Sequence, residues 1–119
     1  MKEQFEIYIG GYPGPSYSIK KDKDFLVYNY YYFNGDKPEK QEIIQPTKVQ
    51  WDKFYSFLKT LNMWKPLYEN LEVCDGTQWN VNIINDNVKL VSEGDNSYPK
   101  KFEQFLKEVR ILIGGREFS

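Results

Sequence analysis

The chain reads as an α+β domain: an antiparallel β-sheet of about five to six strands with two amphipathic helices packed on one face. Three observations predict this. Several short segments alternate apolar and polar side chains, the period of a half-buried strand. Two longer segments, 47–62 and 98–113, carry apolar residues three and four apart, one stripe per helix. Turn residues link the alternating segments closely enough for hairpins, and hairpin-linked strands are antiparallel. Two apolar stripes need a common surface, and one sheet face supplies it.

Phe5, Ile7 and Ile9 alternate with Glu6 and Tyr8 and open the sheet. Gly10, Gly11, Pro13, Gly14 and Pro15 then break any regular element around Tyr12. Residues 17–20 form a second short strand, and Lys21, Asp22, Lys23 and Asp24 a polar turn. The longest strand is 25–33. Phe25, Val27, Asn29, Tyr31 and Phe33 occupy one face, and Leu26, Tyr28, Tyr30 and Tyr32 the other. Asn34 and Gly35 give a strong turn signal. Residues 41–45 add a fourth strand that Pro46 ends.

Thr47 and Gln50 fit a capping box, in which each side chain satisfies a free backbone N–H of the other residue. Trp51, Phe54, Tyr55, Leu58 and Leu61 follow at helical spacing. Residues 63–73 read as an irregular connection. Its Trp64, Leu67, Tyr68 and Leu71 are too apolar for a solvated loop, so it should pack on the core. The next strand, 78–84, points Trp79, Val81 and Ile83 inward and Asn80 and Asn82 outward. Asn85, Asp86 and Asn87 turn the chain into a partner strand at 88–92. Residues 93–96 read as a tight loop. Ser97 or Tyr98 caps a helix beginning at Pro99, where a proline loses no hydrogen bond. Phe102, Phe105, Leu106, Val109, Leu112 and Ile113 form its stripe, and Gly114 and Gly115 stop it.

At 119 residues the chain is expected to be a single domain spanning 1–119. A domain of that size buries roughly two-thirds of its unfolded surface. An aromatic content of 18% argues against disorder. Net charge is −1, with +1 on residues 1–60 and −2 on 61–119. Neither half is a basic platform, so no nucleic-acid partner is expected. The scarcity of alanine and arginine beside abundant lysine, asparagine and tyrosine suits an AT-rich bacterial or phage genome. The charged N-terminal segment lacks a signal core, and no apolar run nears the roughly 20 residues that span a membrane. The expectation is a cytoplasmic protein with no membrane partner.

The chemistry is narrowed by the absence of histidine, which removes Ser-His, Cys-His and His-metal arrangements. The one cysteine, Cys74, sits beside Asp75, whose charge raises a thiol pKa, so it reads as structural. Asp75, Glu93, Asp95 and Asn96 offer oxygens of the kind calcium takes, but at no EF-hand spacing. Residues of this type in turns usually cap their own backbone. The glycine-proline loop lacks the Lys-Ser/Thr of a phosphate loop. No catalytic residue, cofactor or metal is expected. Carboxylate-only catalysis, which needs just two positioned acids, stays open.

The segments D-G-T-Q-W at 75–79, G-D-N-S-Y-P-K-K-F at 94–102 and L-I-G-G-R-E-F at 112–118 resemble a group of small uncharacterised bacterial proteins. The Trp64 to Tyr68 segment fits the same pattern. The resemblance covers the C-terminal half and carries no activity with it. Small proteins of this kind look like immunity proteins from toxin–immunity loci or accessory proteins of mobile elements. It implies a non-catalytic inhibitor binding another protein, a toxin in the first instance. A phage or mobile-element inhibitor of a defence effector is the near alternative, and a small-molecule-binding or enzymatic α+β domain the distant one. The matched residues are accounted for by turns and caps, so the partner should bind the N-terminal half. Tyr12 at its loop tip, the outward-facing Tyr30 and Tyr32, and the turn lysines Lys21 and Lys23 are the candidate contacts. The alternation leaves open whether the Tyr28, Tyr30 and Tyr32 row faces solvent or core.

Overall fold

The computed structural model describes residues 3–11, 14–32, 37–61, 63–70 and 76–119. They form the α+β architecture with two helices, but the sheet has seven strands and is mixed. The strands are β1 (Gln4–Gly11), β2 (Ser16–Asp22), β3 (Phe25–Tyr31), β4 (Lys40–Ile44), β5 (Leu67–Glu69), β6 (Thr77–Ile84) and β7 (Lys89–Asp95). Their spatial order is β4-β3-β2-β1-β6-β7-β5. Every pairing is antiparallel except β5 with β7. The expectation of five to six antiparallel strands is corrected by β5, three residues inside the segment read as an irregular connection.

Helix α1 (Lys48–Leu58) begins at the predicted capping box. Gln50 N–H donates to Thr47 Oγ1 at 3.1 Å, and Thr47 N–H donates to Gln50 Oε1 at 2.8 Å. A 3-10 turn, Lys59–Leu61, closes it. Helix α2 (Phe102–Leu112) starts later than its proline suggests. Lys101 takes a left-handed conformation, φ 69°, so residues 99–101 turn before the helix begins. Neither Ser97 nor Tyr98 is its cap. Trp64 Nε1 donates to Lys100 O at 3.0 Å and fixes that turn, while the Tyr98 ring packs on Phe102 at 5.0 Å.

The core lies between the helices and one sheet face. Phe5, Ile7, Ile19, Leu26, Val81 and Ile83 meet Phe54, Leu58, Phe105, Val109 and Leu112 there. Trp64, from the connection, closes one end against Phe105 at 5.3 Å and Trp79 at 5.8 Å. After α2, Gly114 and Gly115 adopt positive φ of 74° and 86°, a conformation L side chains disfavour, and the chain reverses. Phe118 then enters the core at 0% exposure, Tyr28 Oη donates to Glu117 O at 2.6 Å, and Arg116 Nε reaches Glu42 at 3.0 Å. The returning tail decides which face of β3 is inside. Leu26 and Tyr28 are buried and Tyr30 is half-buried, on the covered side. The outward placement of Tyr30 is therefore wrong.

Candidate functional site

The helices cover one face of the sheet and leave the other open. Strand registers place one residue from each strand in a continuous row across the open face: Gln41, Asn29, Ser18, Tyr8, Asn80, Glu93 and Leu67. Three of its side chains are linked in series. Gln41 Nε2 donates to Asn29 Oδ1 at 2.8 Å, and Asn29 Nδ2 to Ser18 Oγ at 3.4 Å. Tyr8, on the central strand, donates its hydroxyl to Ser16 Oγ at 3.3 Å and keeps its ring half-exposed. A parallel row runs Ile43, Val27, Lys20, Glu6, Asn82 and Val91, with Ile43 and Val91 both exposed. The face is thus polar along its central strands, with exposed apolar side chains at Ile43, Val91 and Leu67.

Two hollows open at the ends of the central strands. One, of about 430 Å³, lies on the open face between Tyr8, Leu67, Asn80, Glu69, Glu93 and Asp95. The other, of about 480 Å³, lies at the β1–β2 end, where Gly10, Gly11, Gly14 and Gly76 form much of the wall around Tyr17 and Glu117. The Tyr17 phenol is pushed up to about 12, chiefly by burial and then by the Glu117 carboxylate beside it. Burial, followed by Glu117, also raises Tyr28. These phenols stay protonated near neutral pH and can donate hydrogen bonds, but they are poor nucleophiles.

The predicted contact residues do not come together. Lys21 and Lys23 sit at the turn end of the β2–β3 hairpin, Tyr30 and Tyr32 at the opposite end. Lys21 is engaged within the fold: it pairs with Glu3, and its ammonium lies over the Trp51 ring at 5.4 Å. Lys23 is exposed at φ 59° in the turn. Tyr30 packs on Tyr17 at 5.4 Å, whereas Tyr32 is 59% exposed. Tyr12, Cys74 and Asp75 lie outside the described residues. Asn96 Oδ1 accepts from Thr77 N–H at 2.9 Å, which ties it to the start of β6. Among the described residues no group of three or more acidic, cysteine or histidine side chains is arranged to hold a metal. Among the described residues no helix is long and apolar enough to cross a membrane.

Sequence reasoning missed Tyr8 and Glu69. The signal for Tyr8 was present, since alternation in β1 sets it opposite Phe5, Ile7 and Ile9. Glu69 carried no signal until β5 was seen to pair with β7. No protein-family model, no curated protein and no solved structure matches this chain.

Proposed function

We propose that this chain is a non-catalytic inhibitor of the immunity type. In this reading it acts in the cytoplasm and neutralises a cognate toxin by gripping it with the open sheet face. The observation that carries the reading is the seven-residue row across that face, in which Gln41, Asn29 and Ser18 are hydrogen-bonded in series and Tyr8, held by Ser16, stands at the middle. A preorganised surface loses little freedom on binding, and a half-exposed tyrosine at its middle offers area plus one directional hydroxyl. The lack of histidine and the upward displacement of the perturbed phenols both argue against acid–base or nucleophilic work at neutral pH.

The test is affinity capture from the native host, followed by titration of the captured protein's own activity. Stoichiometric loss of that activity is the expected result, with Tyr8→Ala costing about 2 kcal/mol or more of binding. A toxin gene beside this one supports immunity; capsid or tail genes support a phage inhibitor of a defence effector. The glycine-walled hollow at Tyr17 and Glu117 favours a second reading, a small-molecule-binding domain. A purified sample that carries a metabolite and captures no protein would establish that second reading instead.

A further inference from the structure

We infer that β4 is a pairing edge whose partner is a second copy of this chain, added antiparallel across a two-fold axis at Ile43. β4 ends the sheet, and among the described residues no strand pairs with its outer side. The β2–β3 hairpin shows which backbone groups of β4 face outward. Its two-residue turn, Lys23 and Asp24, makes Asp22 and Phe25 a hydrogen-bonded pair. Alternation along β3 then aims the backbone of Leu26, Tyr28 and Tyr30 at β4, opposite Ile44, Glu42 and Lys40. The N–H and C=O groups of Gln41 and Ile43, and by the same alternation of Gln45, point away from the sheet. Pro46 has the parity of Ile44, so its missing N–H removes no outward donor.

Outward N–H and C=O groups in a row are a template for another strand, and sheets normally blunt them. The opposite edge is blunted, since β5 has three residues and follows Pro66. β4 has five residues, and its lysine, Lys40, lies on the helix side, 3.7 Å from Glu42. On the open side it presents Ile43, 68% exposed, beside the half-buried Val27. Self-pairing must set outward residues opposite outward residues, which restricts the register. An axis at Glu42 sets two carboxylates directly opposite each other, which is destabilising. An axis at Gln41 brings Ile43 to Glu39, whose N–H is already turned inward to Tyr30 O at 2.7 Å. An axis at Ile43 has neither fault: Ile43 meets its own copy, and Gln41 meets Gln45. Val27 and Ile43 then continue across the seam into Ile43 and Val27 of the second copy, one apolar strip. This self-complementarity is what a two-fold interface requires, and an unrelated strand would gain the backbone bonds without it.

Self-pairing at β4 does not depend on what the open face binds. The test is analytical ultracentrifugation of the whole chain from micromolar to millimolar concentration, with amide hydrogen exchange followed by NMR over the same series. A concentration-dependent dimer is expected. The Gln41, Ile43 and Gln45 amides should gain protection as the dimer forms, while those of Lys40, Glu42 and Ile44 are protected throughout. Ile43→Lys sets two ammonium groups against each other at the axis, and Ile43→Pro removes the outward donor there. Each should weaken the dimer about tenfold or more while keeping the parent's circular dichroism spectrum. Val91→Lys, the same charge change at an exposed residue of β7, should leave association unchanged. A monomer at every concentration, a dimer that both Ile43 variants leave intact, or protection gained elsewhere overturns the inference. So does a dimer lost in Val91→Lys and kept in Ile43→Lys, because the open faces would then be the contact. If the chain alone stays monomeric and the Gln41 and Ile43 amides gain protection only with a captured host protein, self-pairing fails. The edge then takes another protein's strand.

Discussion

Phe118 follows a glycine stop and two charged residues, yet its ring is fully buried against Tyr17 at 5.8 Å. It gets there because Gly114 and Gly115 turn the chain through positive φ, and Arg110 Nη1 holds the Phe118 carbonyl at 3.3 Å. Phe118→Ala leaves a cavity under β2 and β3 and should cost about 3–5 kcal/mol in denaturant unfolding. A loss below about 1 kcal/mol would show that the tail adds nothing to the core. The same tail perturbs Tyr17. Its phenol rises from 10.0 to about 12, so the folded protein holds that proton more tightly than the unfolded chain. The stability this contributes is complete below about pH 10 and is lost as pH rises through about 12. Unfolding measured across that window should fall steeply in the parent and less steeply in Tyr17→Phe; equal slopes would detach the effect from Tyr17. Other single residues serve packing. A Cβ on Gly76 would land on the Asn96 amide, and one on Gly94 would land on the Trp79 indole, whose Nε1 donates to Ser97 O at 3.0 Å. The turn-strand and turn-helix motifs of the C-terminal half are therefore one interlock. Their spacing in the sequence showed each turn, but not that the two meet.

Elements whose signals are local were the legible ones. The α1 capping box is set by residues three apart, and Thr47→Ala should cost about 1 kcal/mol through the lost bond to Gln50 N–H. Equilibrium unfolding of that variant checks it, with an unchanged midpoint counting against the cap. The β6–β7 hairpin was equally readable, since Asn85 Oδ1 accepts from the N–H groups of Asn87 and Val88 at 2.8 Å and builds the turn itself. Elements specified by distant partners were not legible. Three residues are too few for alternation to declare β5, and its pairing with β7 spans a connection that gives no register. Residues 93–95 resembled a loop because of Gly94, yet they are strand. The glycine is there to admit an indole ring rather than to bend the chain. The start of α2 misled in the opposite way. Pro99 satisfies the rule for a first helical residue, but Trp64 holds the Lys100 carbonyl from 36 positions away and Lys101 turns left-handed.

At the scale of the molecule the question is which side of the sheet was meant for solvent. β3 could not answer it, because Phe25, Val27 and Tyr31 are about as apolar and aromatic as Leu26, Tyr28 and Tyr30. The answer comes from contacts made across most of the chain: Tyr28 to Glu117, Tyr17 to Phe118, and the helices over β1 and β6. Once those are in place, the tyrosines divide by role. Tyr30 packs on Tyr17 on the covered side, whereas the half-buried Tyr8 lies on the open side with its hydroxyl engaged by Ser16. Truncating Tyr30 removes packing from the core margin and should lower the melting temperature with affinity intact in the folded fraction. Truncating Tyr8 removes a surface ring and one long hydrogen bond, worth about 1 kcal/mol or less to folding. Its cost should fall instead on partner binding, at about 2 kcal/mol or more. Measured side by side, melting temperature and affinity should move in different variants. If Tyr8→Ala unfolds the protein as readily as Tyr30→Ala, the open face is structural surface. If it changes neither quantity, the partner binds elsewhere, and the exposed Tyr32 at the far end of β3 becomes the next residue to cut.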